Sequence, residues 1–257
     1  MKIIAINSSY RGDKGHTRHL IDLLFEGAQA AGAECEVVTL ARQKINRCLA
    51  CDECHTAEHY LKCINAGKDD VAGIFAKIAS ADLLIYATPV YVFGISGLLK
   101  TFLDRLYSTS AVNEMRVTQS GLFFHHVDEA ICSKPFVSLI CCDNLDSEMP
   151  QNAREYFRIF ASFMDAPHVG ELIRNGGRIF GYGHGPRAIE RFPKIAAVYE
   201  AYRQAGRELA QTGRISGVTQ RKANQEIIPV PFFGLLKRLT PFKQVMAQKA
   251  KEMMSLV

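Results

Sequence analysis

The sequence predicts a doubly wound α/β domain, a parallel sheet with helices on both faces. Two observations carry that expectation. Short apolar runs alternate with segments of helical periodicity, and three of the four runs, Ile3-Ile4-Ala5-Ile6 among them, are apolar almost without alternation. Strands covered on both faces read this way. At 257 residues and 48% hydrophobic composition the chain can bury one large core. We place that body at 1–213 and an extension at 214–257.

In order, the strand at 3–6 is followed by a helix over 17–31, with Ile21, Leu24, Ala28 and Ala31 on one face and Gly32 placed to end it. Further strands are expected at 35–40, 83–87 and 136–142, and further helices at 70–79, 95–107, 151–164 and 193–212. In the last helix Pro193 suits a first turn and Gly213 a stop. The stretch 108–134 is longer than an ordinary α/β connection and reads as an oligomer contact or a cover for a site. The glycines of 181–186 lack the GxGxxG spacing and read as a connecting loop.

Sheets of this class bind ligands beyond the carboxyl ends of their strands. The loop after the first strand, Asn7-Ser-Ser-Tyr-Arg-Gly-Asp-Lys-Gly-His-Thr17, supplies hydroxyls, two glycines and the cations Arg11 and Lys14 at a helix N-terminus. That combination suits an anion such as phosphate, although an ordinary strand-to-helix turn uses similar residues. After the third strand, Thr88-Pro-Val-Tyr-Val-Phe-Gly94 offers polar backbone and aromatic rings to a flat ligand. A third loop, 143–150, follows the fourth strand.

Four of the eight cysteines, Cys48, Cys51, Cys54 and Cys63, fall within sixteen residues of the loop 45–64. Two-residue gaps place three thiolates around one turn, the usual way a chain grips a [4Fe–4S] cluster. Zinc more often joins two separate CxxC knuckles, and free redox-active thiols are the remaining reading. His55 and His59 read as solvent-facing residues of a short helical lead into Cys63. Cys35, Cys132, Cys141 and Cys142 read as small buried hydrophobes.

The loop ending Gly15-His16-Thr17, the cysteine run before Lys68-Asp-Asp70, and Thr88-Pro-Val-Tyr91 with 100–105 resemble the NADPH-dependent FMN reductase-like family over about residues 1–175. With its four cysteines the chain is most similar to the iron-sulfur flavoproteins. The resemblance implies a flavodoxin-like fold, FMN held by the three loops, and a homodimer or homotetramer that completes the flavin site. By position, Ser9, Arg11, Gly15, His16 and Thr17 would contact the FMN phosphate, while Pro89, Val90, Tyr91, Phe93 and Gly94 would line the isoalloxazine. Electrons would come from NAD(P)H or a carrier such as ferredoxin, and would pass through FMN and the cluster to an acceptor. The alternative is an NAD(P)H-dependent flavin oxidoreductase, reducing quinones or FMN, without a cluster. Two departures stand out: His16 replaces the Asn of the family's usual Gly-Asn-Thr, and the gap to Cys63 is longer than usual.

Of the net charge of +5, residues 227–257 carry +4, which leaves +1 on the rest. A nearly neutral body argues against nucleic-acid binding, which usually brings a basic face and a pI above about 9. The basic segment 241–257 suits docking on protein better than contact with a membrane surface. No run approaches the ~18 apolar residues of a membrane span, and 1–9 reads as a strand, not a secretory leader. The cysteines then belong to a reducing compartment, the cytoplasm.

Overall fold

The computed structural model describes residues 1–177, 189–190, 192–227, 239–245 and 248. The glycine-rich run 181–186, the proline-punctuated run 228–236 and most of the basic segment 241–257 lie outside them. Strands are β1 (Lys2–Asn7), β2 (Glu34–Thr39), β3 (Leu83–Pro89), β4 (Ser110–Val117), β5 (Phe123–Val127), β6 (Phe136–Cys141) and β7 (His168–Arg174). Helices are α1 (His16–Ala30), α2 (Val71–Ala79), α3 (Gly97–Leu103), α4 (Glu129–Cys132), α5 (Gln151–Met164), α6 (Lys194–Thr212) and α7 (Gly217–Ala223).

Five strands form one parallel sheet in the order β2-β1-β3-β6-β7. This is the flavodoxin-like order, with its chain reversal beside β1. Alternate residues of the central strands feed two cores. Ile3, Ala5, Leu83 and Ile85 pack with α1 and α6, whereas Ile4, Ile6, Leu84 and Tyr86 pack with α2, α3 and α5. Both faces are covered, which is why these strands carry no polar alternation.

On the first face α1 and α6 approach to backbone contact. A Cβ at Gly27 would stand 1.8 Å from the Arg203 carbonyl oxygen, and one at Gly206 1.9 Å from that of Leu24. Pro193 occupies the N-cap of α6, and Gly213 ends it at φ 73°.

Four features depart from the expected pattern. β7 is an additional edge strand; its run His168-Val-Gly-Glu-Leu-Ile-Arg174 alternates in burial. Amide side chains of α7 pair with its backbone: Glu171 N–H donates to Gln220 Oε1 (2.7 Å) and Ile173 N–H to Asn224 Oδ1 (2.8 Å). Ile215, Ala223 and Ile227 join the first core, so packing continues beyond Gly213. The stretch 108–134 folds into the β4–β5 hairpin and α4. The helix expected over 95–107 divides into α3 and a 3-10 turn, Asp104–Thr109. Ser96 Oγ caps the start by accepting from Leu99 N–H (3.1 Å). At the end, the Ser108 and Thr109 hydroxyls donate back to the carbonyls of Arg105 and Leu106 and tighten the turn.

Because the sheet is parallel, the ends of β1, β2, β3, β6 and β7 lie along one edge, and all three candidate loops and the cysteine loop leave from it. No helix among the described residues is long and apolar enough to cross a membrane.

Candidate functional site

The loop after β1 is bound to β3 and to itself. Ser8 donates to the Ala87 carbonyl through both N–H (3.0 Å) and Oγ (2.9 Å). Asn7 Nδ2 donates to Gly12 O (3.2 Å), and Ser9 N–H donates to Asn7 Oδ1 (3.2 Å). Gly12 adopts φ 57° to close the turn. A Cβ at Gly15 would lie 2.6 Å from Ser9 Oγ, so a larger residue here would have to displace that hydroxyl. No side chain caps α1, and its first turn faces the loop with the positive end of a fifteen-residue helix. These features fit a phosphate group.

Of the other expected phosphate contacts, Arg11 and His16 meet at the rim, Nη1 to Nε2 3.4 Å. Thr17 is buried, its hydroxyl beside the Cys141 thiol. Asp13 draws cations together: Arg18 (2.6 Å) and Arg42 pair with it, and the Thr39 hydroxyl donates to it (3.1 Å).

After β3, Tyr91 and Gly94 exchange both backbone hydrogen bonds (3.1 and 3.2 Å). Val92 (φ 46°) and Phe93 (φ 68°) form the tip in the left-handed region, strained for a β-branched residue. Val90 N–H donates to Cys141 O (2.8 Å), so this amide is committed to the sheet. Tyr91 and Phe93 are exposed. Tyr10 stacks on Tyr91 with ring centroids 6.1 Å apart, joining this loop to the first. Exposed rings beside the loop after β1 fit a planar heteroaromatic ring.

The third loop is gathered against residues following β7. Gly176 N–H donates to Asn144 O (3.1 Å), Gly177 N–H to Cys142 O (2.8 Å), and Asn175 Nδ2 to Leu145 O (3.4 Å). Burial raises the thiols beside it, Cys142 to about 12, with Asp143 adding to the effect; Cys141 moves in the same direction for the same first reason. Both thiols are buried. Cys132 is likewise buried and raised to about 11 by desolvation.

Cys48, Cys51, Cys54 and Cys63 line one small pocket together with Asn65, Arg105 and Tyr107. Cys54 is buried, Cys48 and Cys63 half-buried, and Cys51 exposed. Burial is the main cause that raises the Cys54 thiol, and the charges of Cys63, Cys48 and Cys51 push the same way. Among the described residues no three His, Cys, Asp or Glu side chains converge on a position for a single metal ion.

The backbone between them is turn upon turn. Ala50, Asp52 and Leu61 take φ of 49°, 56° and 59°, and the only regular element is the 3-10 turn Glu53–His55. The helical lead into Cys63 is therefore absent. Nor does His55 face solvent: its ring stands edge-on to Tyr107, centroids 4.6 Å apart. Tyr107 Oη donates to Asp52 Oδ1 (2.7 Å), and that bond is the first cause that raises the phenol to about 12. His59 is partly exposed beside Glu53 (3.6 Å).

The loop is anchored at its ends. Lys44 N–H donates to Asp70 (2.7 Å), and Asp70 N–H returns to Lys44 O (2.9 Å). Asn46 N–H donates to Asp69 Oδ2 (3.1 Å), and the buried guanidinium of Arg105 pairs with the same carboxylate while donating to Asn46 O (2.9 Å). Arg105 lies in the 3-10 extension of α3, which follows the loop 88–94, so this segment connects the two sites. Sequence reasoning did not single out Tyr10, Asp69, Arg105 or Tyr107 for the site. Their partners lie 36 to 81 positions away and no local spacing marks them.

A five-stranded flavodoxin-like sheet with an anion cradle, an aromatic rim and a four-thiol pocket along one edge defines the class of the molecule. Residues 1–121 match the model of the NADPH-dependent FMN reductase family. An iron-sulfur flavoprotein of Archaeoglobus fulgidus is 32% identical over 105 residues, 41% of this chain and 48% of that protein. One from Methanocaldococcus jannaschii is 34% identical over 113 residues, 44% and 54% of the two chains. The match thus spans about half the length of these curated relatives. Among solved structures, an FMN-dependent NADH-azoreductase from Bacillus anthracis in complex with FMN superposes with a TM-score of 0.57 at 13% identity, covering 82% of this chain and all of that one. That likeness concerns the fold. Over residues 1–121 the chain is similar to the NADPH-dependent FMN reductase family, and over 105 to 113 residues to the iron-sulfur flavoproteins.

Proposed function

We propose that the chain is an FMN-dependent oxidoreductase of the iron-sulfur flavoprotein type, holding FMN at the first three loops and a [4Fe–4S] cluster at Cys48, Cys51, Cys54 and Cys63. The observation that carries this reading is the single pocket lined by all four cysteines at the edge that also bears the anion cradle. Four cysteines on one pocket match the ligand count of a cubane, which takes one sulfur at each iron. Zinc would draw the sulfurs to about 2.3 Å from a common centre.

Within this reading Ser9, Arg11, Gly15, His16 and Thr17 surround the phosphate. Gly15 leaves room for it, the α1 N-terminus supplies its field, and the Arg11–His16 pair closes the rim. Pro89, Val90, Tyr91, Phe93 and Gly94 form the wall for the isoalloxazine, with Tyr10 extending it. The flavin supplies the conversion between two-electron and one-electron chemistry; the protein binds it, orients it and limits water. NAD(P)H or a ferredoxin-like carrier is the donor class, and a redox partner protein the acceptor class. Exposed Val92 and Phe93 suit contact with a second copy in a homodimer or homotetramer. All eight cysteines are unpaired thiols, as a cytoplasmic setting would keep them.

Cys51→Ser tests the ligand assignment. Iron should fall from about four per chain to near zero with the broad visible absorption, while FMN remains bound. Iron retained in full would refute the assignment. A wild-type protein with FMN, no iron and rapid bleaching by NADPH would instead establish the cluster-free flavin oxidoreductase.

A further inference from the structure

Arg105 carries an unmet demand at the cysteine pocket. The residue is 2% exposed and lines the same pocket as the four cysteines. Its Nη1 donates to Asn46 O and pairs with Asp69. Its Nε–H is buried and has no hydrogen-bond partner. A buried donor on a cation is rarely left unmatched, because desolvation of the N–H goes uncompensated. Asp69 and Asn46 hold the guanidinium through Nη1, which leaves the buried Nε–H open to a group bound in the pocket that Arg105 lines.

We propose that Arg105 Nε–H donates a hydrogen bond to a sulfur of the cluster and thereby sets its reduction potential. This rests on the cluster reading above. Thiolate and sulfide sulfurs are anionic acceptors, and a charge-assisted N–H···S bond from a fixed guanidinium strengthens as they gain negative charge. One-electron reduction adds one negative charge to the cluster and its four thiolates. The reduced form is therefore favoured over the oxidised form, and the potential rises. Arg105 does not ligate iron. Because it also ties Asn46, two residues before Cys48, to the end of the α3 segment, one side chain sets both the entry of the loop and the charge beside it.

The test is a redox titration of the anaerobic holoprotein, with the cluster followed by EPR and the flavin by absorption. Arg105→Lys keeps a cation for Asp69 but loses the planar fork. It should retain iron, shift the cluster midpoint to more negative potential and leave the flavin midpoints in place. An iron-loaded variant with an unshifted cluster midpoint overturns the proposal. Should the variant fail to fold, the wild type decides, grown with arginine labelled with 15N at the guanidinium alone. Pulsed EPR of the reduced cluster should show a 15N coupling that persists in Arg47→Lys, the substitution that removes the other arginine near Cys48. Its absence in a wild type that holds iron overturns the proposal. A wild type without iron refutes the cluster reading itself, a distinct result.

Discussion

The loops that leave β1 and β2 rise from neighbouring strands, yet they are held by different means. In the loop after β1 nearly every turn is closed by its own chain or by β3: Ser8 on Ala87, Asn7 on Gly12, Ser9 on Asn7. Its shape exists before any ligand arrives. The cysteine loop after β2 is clamped at its ends by Lys44–Asp70 and by Asn46–Asp69–Arg105. Between the clamps it carries three non-glycine residues at positive φ, and the clamp residue Arg105 brings a buried Nε–H without a partner to the same pocket. The first region is a finished cradle. The second has its frame built and its centre left to a ligand, as metal-coupled loops commonly are.

If the clamp frames the cysteine pocket, Asp69→Asn should be the most damaging change. It leaves the buried Arg105 charge unpaired, which costs about 3–5 kcal/mol. Chemical denaturation should show that loss, and iron should leave while FMN stays on the folded fraction. Iron retained at wild-type stability would show that the loop does not need its clamp. The reciprocal change is Gly15→Val, whose Cβ would meet Ser9 Oγ at 2.6 Å. FMN affinity should drop about 100-fold, near 2.7 kcal/mol, with iron content unchanged; flavin fluorescence titration measures it. Unaltered flavin affinity would remove the phosphate from this loop. The smallest effect concerns the tip of the ring loop. Val92→Gly relieves a β-branched residue at φ 46° and should raise stability by about 1 kcal/mol. A lower melting temperature would mean that the tip is not strained.

Much of the fold was legible because both sheet faces are covered. The apolar runs at 3–6, 35–40, 83–87 and 136–142 all became strands of the sheet, and the helix at 151–164 matched at both ends. β7 escaped notice because Gly170, Glu171 and the terminal His168 and Arg174 interrupt its apolar positions. The α7 amides that satisfy its backbone lie some fifty residues away. β4 and β5 were hidden for the same kind of reason: polar residues such as Asn113, Glu114 and Arg116 break the apolar pattern, and a two-stranded ribbon needs no second covered face. At the site, the cysteine spacing was visible and the four thiols do share a pocket. The clamp was not visible, since an aspartate and an arginine 36 positions apart carry no periodicity. His55 was misread because helical spacing was assumed where left-handed turns at Asp52 and Leu61 redirect the chain against Tyr107.

The central claim is one flavin and one cubane held by a single chain. Anaerobic purification followed by an absorption spectrum and parallel flavin and iron assays tests it most directly. The account predicts yellow-brown protein with about one FMN and about four iron per chain. Colourless protein that takes up neither FMN nor iron on reconstitution would contradict it.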